Sequence, residues 1–321
     1  MKLLAATVMG VCGFAMFASP GFAQEQPNGF LHPEKHARQR EALKHRADIE
    51  SSDVLRPLYK AERVAHVANG VALRDRVRGF VHARGVPANS EIVASFLLWN
   101  FSDDQREGAQ QSVVLFDGNV VPGRKTADNT DPCWGRAGNH SYIANVTAFT
   151  NRTGGANQEY EVTMPFTART SSGGGNPWGG AARSDVFFEG ASLVIIYRND
   201  NTTGGLYLFA PPGDNMFFNS ATYLLPSPGQ GRGQLTMVGA DGQRGFGHDN
   251  FASNELTFFD GSQIAGPSVA ASDWDGSDGL TLPQLWDTHT HLVTLSGGVS
   301  KLTYDAGSDC LVPVGFVLDA D

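Results

Sequence analysis

The sequence predicts an all-β protein: two related antiparallel β-sandwich, jelly-roll-like lobes, preceded by a short charged N-terminal helical arm. From about Arg78 onward, short β-branched and aromatic runs alternate with turns rich in Gly, Pro, Asn and Ser, which is typical of stacked antiparallel sheets. An order of apolar strand, acidic loop and second strand also occurs twice, which indicates a duplicated unit.

Residues 1–23 have the features of a secretory signal peptide. A lysine at position 2 precedes an apolar run, and the small residues at Gly21 and Ala23 predict cleavage before Gln24. The alternatives are a membrane anchor, for which the apolar run is short, and a lipoprotein attached through Cys12. We therefore expect a secreted protein, in the periplasm, outside the cell or at its surface, that does not span a membrane after cleavage.

Residues 24–66 form a charged arm that we expect to be helical or disordered. The segment mixes basic, acidic and histidine residues with almost no glycine, and Glu41 lies four residues before His45, as in a polar helix. His32 and His36 have a spacing that could serve a metal ion on a helix. A solvated charged leader accounts for the same residues without one.

Composition is that of a globular exported protein. Of 321 residues 41% are hydrophobic, which is enough for a core, and the 38 glycines suit many tight turns. The net charge of −9 argues against a nucleic-acid partner, because neutralising phosphates requires a basic face.

The internal repeat sets the lobe boundaries, with the first lobe at 67–210 and the second at 211–321. QSVVLFDGN (111–119) resembles NELTFFDGS (254–262), and each is followed by an Asp-rich loop with a tryptophan and by a strand containing Val-Thr. GASLVIIY (190–197) corresponds to SDCLVPVGF (308–316) after a Gly-rich insertion in the first lobe. ASLVIIY lacks alternation, so we expect it to be buried between two layers.

These elements also resemble secreted bacterial β-sandwich domains of unknown function. The similarity covers about 78–318 and follows a Leu-Tyr-Trp-type strand, a Phe-Asp-Gly turn, an Asp-Val-Thr strand and a GASLVVIY-type strand. Here Phe96 to Trp99 occupies the first position, and Asn145-Val146-Thr147 replaces Asp-Val-Thr. The resemblance implies a fold and an extracellular or surface setting, and it transfers no catalytic residue.

The stretch WDTHTHLVTL (286–295) contains an Asp-x-His-x-His triplet that is also found in metal-dependent amidohydrolases. His289 and His291 would lie on the same face of a strand. No histidine follows His291, however, and the repeat places Tyr142 and Ala144 at the equivalent positions. We therefore interpret the stretch as an ordinary strand, with a two-histidine metal site as the alternative.

The acidic loops are the better metal candidates. ASDWDGSDG (271–279) offers Asp273, Asp275 and Asp278, oxygen ligands that suit calcium, with glycines that let the backbone curve around an ion. TADNTDPCWG (126–135) offers Asp128 and Asp131 at the corresponding place. The alternative is that these residues only form turns.

Cysteine and tryptophan provide further predictions. Without Cys12 the exported chain keeps Cys133 and Cys310, which would form a disulfide or stay as buried thiols. Trp178 and Trp274 lie in Gly- and Asp-rich loops and would suit stacking on sugar rings. Trp99 and Trp286 lie in or beside strands and are expected in the core.

The sequence therefore favours a secreted or surface β-sandwich protein without catalytic activity. Its ligand would be an extracellular glycan or a surface protein, or it would form part of an envelope structure. The sequence contains no Gly-x-Ser-x-Gly, His-Glu-x-x-His or phosphate-binding motif. The alternative is a secreted hydrolase that acts on polysaccharide through carboxylates not recognisable from sequence.

Overall fold

The computed structural model describes residues 49–74, 76–103, 112–131, 136–150, 155–165, 186–213, 216–217, 219–242, 255–267, 269, 272–279, 285–307 and 310–321. These residues contain one helical turn, α1 (Thr147–Thr150), and the following strands: β1 (Ile49–Val54), β2 (Tyr59–Glu62), β3 (Ala65–Ala72), β4 (Arg78–His82), β5 (Glu91–Asp103), β6 (Val113–Phe116), β7 (Asn119–Pro122), β8 (Arg124–Asp131), β9 (Arg136–Asn145), β10 (Glu159–Thr163), β11 (Val186–Arg198), β12 (Gly205–Phe209), β13 (Ser220–Pro226), β14 (Gln230–Ala240), β15 (Leu256–Phe259), β16 (Ser262–Ala265), β17 (Trp286–Ser296), β18 (Val299–Asp305) and β19 (Val312–Ala320). Ser277–Gly279 adds a 3-10 turn. Within the described ranges, no helix has the length and apolar character needed to cross a membrane.

The strands form four sheets. Sheet 1 has the order β4-β10-β6-β7, and sheet 2 has the order β3-β11-β5-β9-β8. Sheet 3 has the order β2-β12-β19-β14-β17, and sheet 4 has the order β1-β13-β18-β15-β16. Neighbouring strands are antiparallel except for β1 and β13, which are parallel. The all-β prediction is confirmed.

Three apolar clusters lie between these sheets and stack them in the order 1, 2, 3, 4. The first joins sheets 1 and 2 and includes Trp99 and Phe116, and the second joins sheets 2 and 3 and includes Trp286. The third joins sheets 3 and 4 around Tyr304 and Phe316. Sheets 2 and 3 are therefore covered on both faces. ASLVIIY in β11 is buried without alternation, as predicted, up to the half-buried Tyr197 at its end.

The internal repeat is visible in the strand order. The series β3-β11-β5-β9 of sheet 2 corresponds to β12-β19-β14-β17 of sheet 3, and β4-β10-β6-β7 corresponds to β13-β18-β15-β16. Both Phe-Asp-Gly segments form two-residue hairpin turns, with positive φ at Asp117-Gly118 and at Asp260-Gly261. We refer to sheets 1 and 2 as the first lobe and to sheets 3 and 4 as the second.

The structure corrects both boundaries of the first lobe. Residues 49–66, predicted as part of the arm, contain β1, β2 and the start of β3, and β12 at 205–209 belongs to the second lobe. The segment IESSDV carries charged residues, as edge strands often do, and the side chains of Asp53 and Val54 are exposed. Residues 24–48 and the signal peptide lie outside the described residues, so the helical arm and cleavage site stay predictions.

Buried polar groups link the two lobes across sheets 2 and 3. Arg74, after β3, donates to Glu189 of β11 at 2.8 Å and lies 3.7 Å from Asp241, which follows β14. His66 Nδ1 is 2.7 Å from Asp319, and its Nε2 is 2.7 Å from the Thr236 hydroxyl. These pairs satisfy polar groups that face an apolar interface.

Gly190 gives a direct test of the contact between the lobes. A Cβ at Gly190 would overlap the indole of Trp286 and approach the carbonyl oxygen of Val71. We expect Gly190→Ala to lower the free energy of unfolding by about 1–3 kcal/mol, because the side chain overpacks a buried contact. Gly298→Ala is the matched control, since nothing lies near its added Cβ. Equal denaturant midpoints for the two variants would contradict this packing.

The buried carboxyl of Glu189 predicts a pH dependence. Burial raises the pKa of Glu189 from 4.5 to about 8, although Arg74 opposes this shift. The folded protein then holds a proton that the unfolded chain has lost, so this contribution to stability is lost as pH rises from about 4.5 to 8. We expect Glu189→Gln to flatten the fall in unfolding free energy over this range in denaturant titrations. An unchanged pH slope would contradict the assignment.

Candidate metal centre

The acidic segment, residues 272–279, folds across strand β17, which forms one edge of sheet 3. Alternation along β17 directs Asp287, His289 and His291 toward the face shared with sheet 4, and Thr288 toward sheet 2. The segment contacts both faces of the strand, since Asp273 reaches His291 and Asp278 bonds to Thr288. It therefore covers an edge that would otherwise be open to water.

Three side chains converge at the centre of this contact. One ligand atom each from Asp275, Asp287 and His289 lies within 4.8 Å of the others. His289 Nε2 lies 3.3 Å from Asp287 Oδ1 and 3.5 Å from Asp275 Oδ1. Charge-assisted hydrogen bonds are usually shorter, at about 2.7–2.9 Å. Two ligands on one tetrahedral ion, with bonds of about 2.0–2.2 Å, would lie about 3.3–3.6 Å apart.

Ser277 fixes the cluster on the side of the acidic segment. Its backbone N–H donates to Asp287 Oδ1 at 3.1 Å, and its hydroxyl lies 3.1 Å from His289 Nε2. The side chains of Asp275 and Asp287 are 7% and 0% exposed, whereas the His289 side chain is 20% exposed. The cluster is thus buried on its carboxylate side and reached by solvent at the imidazole.

In this cluster, burial and the interactions between the charged groups shift the pKa values in opposite directions. Burial raises the pKa of Asp287 to about 7, although the hydrogen bond from His289 opposes the shift. Burial lowers the pKa of His289, but hydrogen bonds to Asp275 and Asp287 outweigh it and raise that pKa to about 11. A proton on His289 therefore balances the carboxylates in the metal-free protein, and a divalent ion at this place would displace that proton.

One carboxylate oxygen of this cluster is buried without a hydrogen-bond partner among the described residues. It is Asp287 Oδ2, and the Asp287 side chain is fully buried. An unsatisfied buried acceptor costs about 1–3 kcal/mol. A cation at this place would supply the missing interaction.

The three predicted calcium ligands do not converge. Asp275 joins Asp287 and His289, but Asp273 forms a separate pair with His291, 2.5 Å from its Nε2. Asp278 lies on the other side of β17, where it packs over Gly70 of β3. The acidic segment is extended around the strand edge, so its successive carboxylates point in different directions.

The acidic loop of the first lobe does not gather its carboxylates either. Asp128 lies 2.9 Å from His140 Nδ1 and 3.1 Å from Lys125, and the other nitrogen of His140 is 3.3 Å from Asp103. Asp131 is fully buried and accepts a hydrogen bond from Ser102. In this lobe Asp128 pairs with a histidine and a lysine, and Asp103 pairs with the same histidine.

The order Asp319, His66, Thr236 has the hydrogen-bond sequence of an acid–base–nucleophile relay. All three side chains are at most 3% exposed, between sheets 2 and 3, and Thr236 bonds onward to Thr290 at 2.6 Å. A nucleophile must reach a substrate, and this hydroxyl does not. We therefore interpret this hydrogen-bonded series of side chains as a structural link between the lobes.

The prediction that Trp274 is an exposed stacking surface is wrong. Its side chain is fully buried and meets Phe217 and Tyr304 edge to face at 6.0 and 5.2 Å between ring centroids. The acidic segment turns this apolar residue inward, because its burial fills the core between sheets 3 and 4. Trp99 and Trp286 are buried, as predicted.

Trp178 and Cys133 lie outside the described residues. Cys310 is buried at the boundary between the lobes. Stacking by Trp178 and a disulfide between Cys133 and Cys310 stay predictions.

Comparison with known proteins identifies no relative. No family model matches the sequence, and no curated protein matches it. The Sputnik virophage cryo-EM structure aligns at 8% identity with a TM-score of 0.21, over 87% of this chain and 88% of that one. The tandem CBM51 modules of Sp3GH98, the family 98 glycoside hydrolase from Streptococcus pneumoniae SP3-BS71, align at 11% identity and TM-score 0.20, over 78% and 83%. Similarity this low supports no conclusion about fold or function.

Sequence reasoning missed Asp287 and His289 as partners of the acidic segment. The sequence pattern predicts only an ordinary strand for the stretch that contains both residues. The strand is confirmed, but both side chains contact the segment. One signal was available, since the repeat places an acidic loop directly before this strand.

The burial of Trp274 generates a stability prediction. We expect Trp274→Ala to lower the free energy of unfolding by about 3–5 kcal/mol, because it leaves a large cavity between sheets 3 and 4. Leu292→Ala, on the same strand as the cluster and 65% exposed, should change it by less than about 0.5 kcal/mol. Equal unfolding midpoints in denaturant would show that Trp274 is not part of the core.

Proposed function

We propose that this is an exported β-protein without catalytic activity whose second lobe binds one divalent metal ion through Asp275, Asp287 and His289. The observation that carries the proposal is the convergence of these three ligand atoms within 4.8 Å. The ion would hold the acidic segment on β17 and so close the edge of sheet 3.

The ligand chemistry favours zinc, with manganese next, over the calcium expected from the acidic loop. Calcium prefers six to eight oxygen ligands, whereas an imidazole with two carboxylates suits zinc. Ionised Asp275 and Asp287 with neutral His289 would balance the charge of a divalent ion. The Ser277 hydroxyl or a water molecule would complete four-coordination.

Each lobe is inferred to be a jelly roll, the specific form of sandwich expected from the sequence. The support is the strand order: apart from the additional edge strands β8, β2 and β1, each lobe has eight strands in two groups of four, arranged in the same way in both lobes. Jelly rolls occur in lectin and capsid domains, which bind glycans or assemble with other proteins. This agrees with a ligand that is an extracellular glycan or a surface protein.

A secreted hydrolase is the second candidate function. The observation in its favour is the three-ligand set, because catalytic zinc sites keep a fourth position for water. The partial exposure of His289 leaves a path for solvent to that position.

Metal analysis tests the proposal. The mature protein, dialysed against zinc and then against metal-free buffer, should retain about one zinc ion per chain by mass spectrometry. Ligand at about 100 times Kd stabilises a protein by about 2.7 kcal/mol, so EDTA should lower the melting temperature by about 5 °C. His289→Asn and Asp275→Asn should each lose the metal and the EDTA response.

His82→Asn is the matched control, since His82 is an exposed histidine that also pairs with a carboxylate, at 2.8 Å from Glu159. It should retain zinc. Wild-type protein that retains no metal after this treatment would contradict the site. Bound calcium that is lost in Asp273→Asn and Asp278→Asn would instead support the calcium ligands predicted from the sequence. Cleavage of pooled polysaccharides by zinc-loaded but not EDTA-treated protein would favour the hydrolase.

A further inference from the structure

The outer edge of β4 in the first lobe is unpaired among the described residues, whereas the equivalent edge in the second lobe is occupied. There, β13 pairs in parallel with β1, with Ile49 opposite Ala221 and Glu50 opposite Thr222. β4 has the position of β13 in the repeat, at the end of sheet 1, and its other side pairs with β10. Of these two equivalent edges, one is paired with a strand, and the other has no paired strand in the part of the chain that the structure describes.

The side chains of β4 suit strand addition. Val81 faces the core and is fully buried, whereas Arg78, Phe80 and His82 face outward. Phe80 is 42% exposed, and an exposed aromatic residue on an open edge is a site where another extended chain can pair. An incoming strand would bond to the backbone and cover this ring.

Charge decides what can bind there. Arg78 and Arg84 are exposed and form no ion pair with another described residue, while His82 is paired with Glu159 of β10. Two basic edges repel each other, so this edge disfavours pairing with β4 of a second copy. It favours an acidic strand, and β1, which fills the equivalent edge, carries Glu50 and Asp53.

We propose that the outer edge of β4 binds an acidic, extended segment of a partner protein by parallel strand addition. The new strand would place an apolar side chain beside Phe80 and carboxylates near Arg78 and Arg84. This inference rests on the proposed partner-binding role and supplies its surface, and it is independent of the metal site, which lies in the second lobe.

The probe is the labelled peptide ADIESSDVL, residues 47–55 of this chain, which carries three acids and adopts an extended strand where it includes β1. We expect saturable binding to the mature protein by fluorescence polarisation. Arg78→Glu combined with Arg84→Glu should weaken binding about tenfold. Arg124→Glu combined with Lys301→Glu, at exposed positions on β8 and β18, should leave the affinity unchanged.

A peptide with alternate N-methylated amides separates strand addition from charge attraction. It keeps every side chain but cannot pair along the edge, so it should not bind. Equal binding of the methylated peptide would overturn the proposal. An equal loss of peptide affinity in the Arg78/Arg84 and the Arg124/Lys301 double variants would also overturn it. Binding of polygalacturonate at the same arginines, without peptide binding, would assign the surface to an anionic glycan instead. Zinc content measured on the same samples reports the metal site separately.

Discussion

Sheets 2 and 3 are covered on both faces, and this constraint governs the rest of the structure. A strand buried on both sides cannot place polar side chains in water, so each must find a partner inside. His66 with Asp319, Arg74 with Glu189, and Trp286 with Ser192 at 2.8 Å are the result. The two lobes therefore share one continuous core, in which apolar packing supplies the contact area and buried polar pairs fix the register.

The candidate metal centre lies where this double coverage ends. β17 is an edge strand, and the acidic segment covers it while burying carboxylates at Asp273, Asp275 and Asp287. Their negative charge requires compensation, which a proton on His289 provides in the metal-free protein and an ion would provide in the loaded one. Because Asp278 of the same segment packs on Gly70 of the first lobe, fixing the segment also fixes a contact between the lobes.

The sequence was sufficient to predict features that depend on local pattern. The uniform burial of ASLVIIY, the Phe-Asp-Gly turns and the core positions of Trp99 and Trp286 follow from alternation, turn chemistry and residue type. The candidate metal centre could not be predicted from local pattern, because it depends on how residues 272–279 fold back over β17. The local pattern predicts a loop for these residues. It does not predict that the Trp274 side chain is buried or that Asp275 contacts His289. The β1 edge strand was missed because its charges resemble those of a solvated arm.

X-ray absorption spectroscopy of the zinc-loaded mature protein tests the central claim most directly. The account predicts one imidazole and two carboxylates around zinc, with bonds of about 2.0–2.2 Å, and no zinc bound by His289→Asn. A zinc site with sulfur or several imidazoles, or zinc retained by His289→Asn with an unchanged spectrum, would contradict it.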